Sequence, residues 1–130
     1  MRKLLIAVIL LFHASLSFAA AGWTGTATIP FATDNVLSPA VELPGTIKEL
    51  AIVIPTITSS TVFLKVSHDG VTYQNLYAMN NGTNQILWAT AAATGGYTAL
   101  IPGNIGLWRY VKVGCGSAQA ADRTFTLVGK

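Results

Sequence analysis

His68 and Asp69 are the one place in this chain where an imidazole stands beside a carboxylate. Such a pair could pass a proton or offer two metal ligands. Either use needs further groups converging on the same point, and adjacent side chains at a strand-to-turn junction diverge. The other carboxylates, Asp34, Glu42, Glu49 and Asp122, are scattered, and the remaining histidine, His13, directly follows an apolar N-terminal run. A Ser-His-Asp or Cys-His arrangement would have to recruit His68 from its turn. Gly103-Asn104-Ile105-Gly106 follows Pro102 and precedes a strand, with neither the lysine nor the helix that a phosphate-cradling loop requires. No catalytic, cofactor-binding or metal-ligating residue is therefore assigned, and the expectation is a protein that is not an enzyme.

The aromatic residues carry a more positive signal. In Leu107-Trp108-Arg109-Tyr110-Val111-Lys112-Val113, strict alternation places Trp108, Tyr110 and Lys112 on one face and Leu107, Val111 and Val113 on the other. The second face suits a core. The first is either another packed layer or an amphipathic surface for a sugar ring or a neighbouring subunit, since Trp and Tyr join apolar area to a polar handle. Cys115, the single cysteine, cannot form an intrachain disulfide. Between Gly114 and Gly116 at a strand end, it is either a buried small hydrophobe or a thiol that cross-links chains, and burial is the favoured reading. Asn81-Gly82-Thr83 matches a glycosylation sequon, but Asn-Gly reads better as a turn. Trp23 and Trp88 carry less information.

Short β-branched and aromatic runs punctuated by Gly, Pro, Asn and Asp must position these residues. About eight strands are expected, from the runs Thr24–Ile29, Leu37–Leu43, Ile47–Ile54, Thr61–Ser67, Val71–Tyr77, Gln85–Ala89, Tyr97–Ile101, Leu107–Gly114 and Arg123–Val128. Turn signals at Asp34-Asn35 and Pro44-Gly45 separate the first three. Pro39 cannot donate to a ladder, which places its run at a sheet edge or at a bulge. Ala89–Ala93 has helix propensity but is short and stopped by Gly95-Gly96, so a loop is expected there. From Val62 to Tyr77 the sequence predicts a hairpin whose turn is built by His68, Asp69 and Gly70. Gly70 supplies a positive φ at a tight turn, and Asp69 bonds its own backbone. The fold class is all-β, a single antiparallel β-sandwich, jelly-roll-like.

Residues 1–21 have the layout of a secretory signal peptide: Arg2 and Lys3, an apolar run from Leu4 to Phe12, then small residues ending Ala19-Ala20-Ala21. The run falls short of the roughly twenty apolar residues that span a bilayer. Cleavage is expected after Ala19 or Ala21, leaving one domain over residues 22–130, which meets the membrane only in transit. The whole chain carries a formal charge of +3, but losing Arg2 and Lys3 makes the remainder almost neutral. With no lysine or arginine cluster left to neutralise phosphates, nucleic-acid binding is not expected.

Five segments appear in a telling order: Ala27-Thr28-Ile29, Leu37-Ser38-Pro39-Ala40-Val41-Glu42-Leu43, Ile52-Val53-Ile54-Pro55, Ser67-His68-Asp69-Gly70-Val71-Thr72-Tyr73 and Ala118-Gln119-Ala120-Ala121-Asp122-Arg123-Thr124-Phe125-Thr126-Leu127. Together they resemble small β-sandwich proteins encoded among tailed-phage and prophage virion genes. The resemblance implies a non-enzymatic virion component, of head-decoration, fibre or tail-associated type, that self-associates or docks on other structural proteins. The N-terminal segment implies an exported protein and the resemblance a virion-associated one. The alternative expectation is an exported carbohydrate- or surface-binding module using Trp108, Tyr110 and Lys112.

Overall fold

The computed structural model describes residues 22–31, 36–58, 60–78, 84–85, 87–90, 97–101 and 105–130. The expected signal segment, the turns at Asp34-Asn35 and Asn81-Gly82-Thr83, most of the alanine tract, Gly95-Gly96 and Pro102-Gly103-Asn104 lie outside the described residues, as does the side chain of Trp88.

The described chain is all-β apart from one 3-10 turn at Ile105–Leu107. Its strands are β1 (Trp23–Ile29), β2 (Val41–Glu42), β3 (Leu50–Ile54), β4 (Ser60–Ser67), β5 (Gln74–Asn75), β6 (Tyr77–Ala78), β7 (Asn84–Gln85), β8 (Leu87–Thr90), β9 (Tyr97–Ile101), β10 (Tyr110–Cys115) and β11 (Arg123–Gly129). They form two main antiparallel sheets. The first has the order β1-β11-β3-β9, and the second runs β2-β10-β4, with β5 and β8 sharing the outer edge of β4. A small ribbon joins β6 to β7. The strand count exceeds expectation because the Val71–Tyr77 and Gln85–Ala89 runs each divide between two short pieces.

Period-two burial explains why these runs become strands. Leu50, Ile52 and Ile54 on β3, Phe125 and Leu127 on β11, and Ala27 and Ile29 on β1 point inward from the first sheet. Val62, Leu64 and Val66 on β4 and Val111, Val113 and Cys115 on β10 do so from the second. All belong to one buried cluster. Each large aliphatic or aromatic member contributes roughly 1.5–3 kcal/mol by leaving water. A one-residue register slip would turn a whole row outward.

The edges depart from the sequence reading in an instructive way. Of the Leu37–Leu43 run only Val41–Glu42 forms a strand, at the edge of the second sheet as Pro39 demanded, and Leu37 adds an isolated bridge to Gly114. Between them the Ser38 N–H donates to the Val113 carbonyl at 2.9 Å, and the Val113 N–H donates to Ser38 Oγ at 3.0 Å. A side-chain oxygen thus substitutes for a ladder carbonyl. Just beyond β10, Gln119, 3% exposed, accepts from the Thr58 N–H and donates to the Ser117 carbonyl, fixing the approach to β11.

Cys115 is buried and free, as favoured. Burial pushes its thiol up to about 11, against a weaker opposing pull from Arg123. The folded protein is therefore expected to leave a thiol-specific disulfide reagent unconsumed at pH 8 and to react fully once unfolded in guanidinium. Rapid reaction of the native protein would show that the thiol is accessible.

Candidate functional site

The turn after β4 is built by one carboxylate. Asp69 Oδ1 accepts from the Val71 and Thr72 N–H groups, each at 2.8 Å, and from the Ser67 hydroxyl at 2.8 Å. Ser67 Oγ in turn accepts from the Gly70 N–H. Gly70 has φ +74°, the left-handed conformation its place in the turn requires. The backbone donors, Thr72 first, hold the Asp69 carboxyl well below the usual carboxylate range. His68, Asp69 and Gly70 thus sit in the turn that the sequence predicted. The loop is wider than a tight turn, because Val66 already pairs with Gln74. Asp69 satisfies backbone donors that a two-residue turn would not expose.

Trp108 departs from its expected place. The strand begins at Tyr110, and Leu107 and Trp108 belong to the 3-10 turn and its exit, where the Trp108 N–H donates to the Ile105 carbonyl at 2.9 Å. Leu107 is 68% exposed instead of facing the core, because the buried Ile105 anchors the turn and rotates its last residue outward. Trp108 packs partly against the core and stacks on His68, with ring centroids 4.3 Å apart at 32°. It lines two open grooves. The larger, about 610 Å³, runs along Glu42, Leu43, Pro44 and Gly45 to Arg109; the smaller, about 220 Å³, lies beside Ser67, Asp69, Thr72 and Gln74.

Tyr110 and Lys112 keep the alternation and lie on the outer face of the second sheet, with Val111 and Val113 buried beneath them. The hairpin loop folds over this face. A Cβ on Gly70 would stand 3.1 Å from the Tyr110 ring, so glycine permits the close approach as well as the turn. Lys112 Nζ sits 4.2 Å from the centroid of the Tyr73 ring, within cation–π range. Burial, aided by Tyr110 and Asp69, raises the Tyr73 phenol above its ordinary value. Arg109 stacks over Tyr110 at 5.3 Å and holds Glu42 Oε1 through Nε and Nη2 at 3.0 and 2.9 Å. That carboxylate raises the guanidinium further.

The structure therefore brings the hairpin turn and the aromatic segment, read separately from the sequence, into one surface. Among the described residues no three His, Cys, Asp or Glu side chains come together as a metal-binding group. No protein family, curated protein or solved structure matches this chain. Sequence reasoning missed Glu42, Lys65, Tyr73 and Asn75 as members of the surface. Lys65 was legible as the outward residue between Leu64 and Val66, but its neighbours depend on a strand order that no local pattern encodes.

Asp69 has a definite pH signature. Because its folded pKa is depressed, its contribution is present above the unfolded value of about 4 and fades as pH falls toward the folded value. Asp69→Ala is expected to melt below wild type at pH 7, with the gap narrowing steadily as pH falls from about 4 toward 2. Thermal melts across that range provide the check, and a gap independent of pH would mean that the carboxylate does not hold the turn.

Proposed function

We propose that this protein is a non-enzymatic structural component of a phage-like or prophage-derived assembly, acting through subunit–subunit contacts of a single jelly-roll β-sandwich. The strand orders support the architecture. Taking β8 as the neighbour of β4, the sheets run β1-β11-β3-β9 and β2-β10-β4-β8, all antiparallel, which is the order made by two interleaved Greek keys. In this reading the segment 1–21 directs export, and the mature chain meets other copies or other structural proteins, with no role for nucleic acid.

One observation carries the assembly reading. The outward positions of the first sheet form cross-strand rows: Thr24, Val128, Ala51 and Leu100 in one, Thr26, Thr126 and Val53 in the next, and Thr28 with Thr124 in the third. No charged residue falls in these rows. Leu100 is 77% and Val128 41% exposed, and the Thr28 and Thr124 hydroxyls bond each other at 2.9 Å. From ordinary strand spacings the face covers about 400 Å² of flat area, within the range of the largest patch on a typical monomer, which is often functional. A second copy fits it best, since two such faces meet without burying any charge. One contact of this size is small for a stable dimer. Repeated contacts in a larger array would supply the remainder.

Trp108 between its two grooves favours a second reading, an exported carbohydrate-binding module. The two separate on mass. Light scattering of the cleaved chain is expected to give dimers or larger species, and Thr126→Lys, at the centre of the neutral face, to weaken self-association by about tenfold or more, because the interface would bury an unpaired charge. A wild-type protein that is monomeric at high concentration, or unchanged association in the variant, would remove the assembly reading.

A further inference from the structure

On the outer face of the second sheet, Lys112 stands directly opposite Lys65 on the neighbouring antiparallel strand. Like charges so placed repel, and an acidic neighbour is the ordinary relief. Among the described residues the ion pair is Arg109 with Glu42, and neither lysine has a carboxylate within ion-pair distance. Asn75 lies opposite Lys65 on the other side, so Asn75, Lys65 and Lys112 form one row across three strands. Aromatic rings frame it. Phe63 covers Gly114, where any side chain would collide with the ring, Tyr73 carries Lys112 Nζ, and Tyr110 lies two residues before Lys112. Tyr73 Oη and Asn75 Oδ1 are buried with no hydrogen-bond partner.

These features specify a complement. Two facing ammonium groups with no ion-pair partner call for an anion, the rings call for a flat apolar surface, and the unpartnered phenol and amide oxygen call for hydroxyl partners. A phosphate ion lacks the apolar face, and an acidic peptide lacks the flat, hydroxyl-bearing ring. We propose that the Lys65–Lys112 pair, with Tyr73, Asn75 and Tyr110, forms a binding site for an acidic saccharide whose pyranose ring bears a carboxylate. The site rests on the carbohydrate-binding reading above, moved from the Trp108 grooves to the lysine row and given a ligand class.

The test titrates the isotopically labelled cleaved chain by two-dimensional NMR with three probes: oligogalacturonate, the same oligomer with its carboxylates methyl-esterified, and oligoglutamate. The site predicts saturable shifts at residues 63–65, 73–75 and 110–114 with oligogalacturonate, about tenfold or more weaker binding of the ester, and a comparable loss in Lys112→Met, which removes one charge-assisted bond. Lys65→Met should bind as weakly yet melt no lower than wild type, because the substitution relieves repulsion. That behaviour separates a lost site from a lost fold. Ester binding as tight as the acid would overturn the anionic assignment and leave the carbohydrate reading standing. Oligoglutamate bound as tightly, with the same lysine dependence, would overturn the saccharide. No binding of either sugar by folded wild type would overturn both.

Discussion

Neither sheet of this protein can hide its own apolar face, so the inward rows of both must share one buried cluster. That constraint orders almost everything else. β11 lies between β1 and β3, so the last strand is needed before the first has a partner. In the second sheet, β10 and β4 pair over Tyr110–Cys115, joining segments far apart in sequence. With no disulfide available, this packing of Ile, Val, Leu and Phe125 is the main stabilising contribution.

Once the inner faces are committed to each other, the outer faces are free to differ, and they do. The first sheet shows water threonine, valine, alanine and leucine; the second shows two facing lysines, an Arg109–Glu42 pair and a frame of aromatic rings. A neutral face is suited to its own copy, because no charge is desolvated on contact. A cationic, aromatic face resists its own copy and suits an anionic ring. In the reading proposed here, one small domain would present an assembly surface on one sheet and a binding surface on the other, each defined by alternate residues of strands whose other residues build the core.

Much of this was legible in the sequence. The alternation of Val62, Leu64 and Val66, and of Val111 and Val113, gave the inward rows, and the run up to Gly70 gave the hairpin because Asp69 and Gly70 are turn residues for stated physical reasons. Leu107 and Trp108 were misplaced because the period-two pattern continues through them, while Ile105 draws that segment into a 3-10 turn. Pro39 correctly marked an edge, but Ser38 supplying a side-chain acceptor to Val113 has no local signature. The Lys65–Lys112 opposition and the position of Tyr73 under Lys112 depend on β4 lying between β10 and β5. That is long-range information, and composition and period cannot hold it.

A shared core should make the two sheets one cooperative unit. Native-state hydrogen exchange tests it most directly, by comparing amides of β3 and β11 with those of β4 and β10. The slowest amides of both sheets are expected to open with free energies within about 1 kcal/mol of each other and equal to that of global unfolding. Exchange of the β4 and β10 amides through a separate, lower-energy opening while β3 and β11 stay protected would contradict this and show that the sheets do not depend on one another.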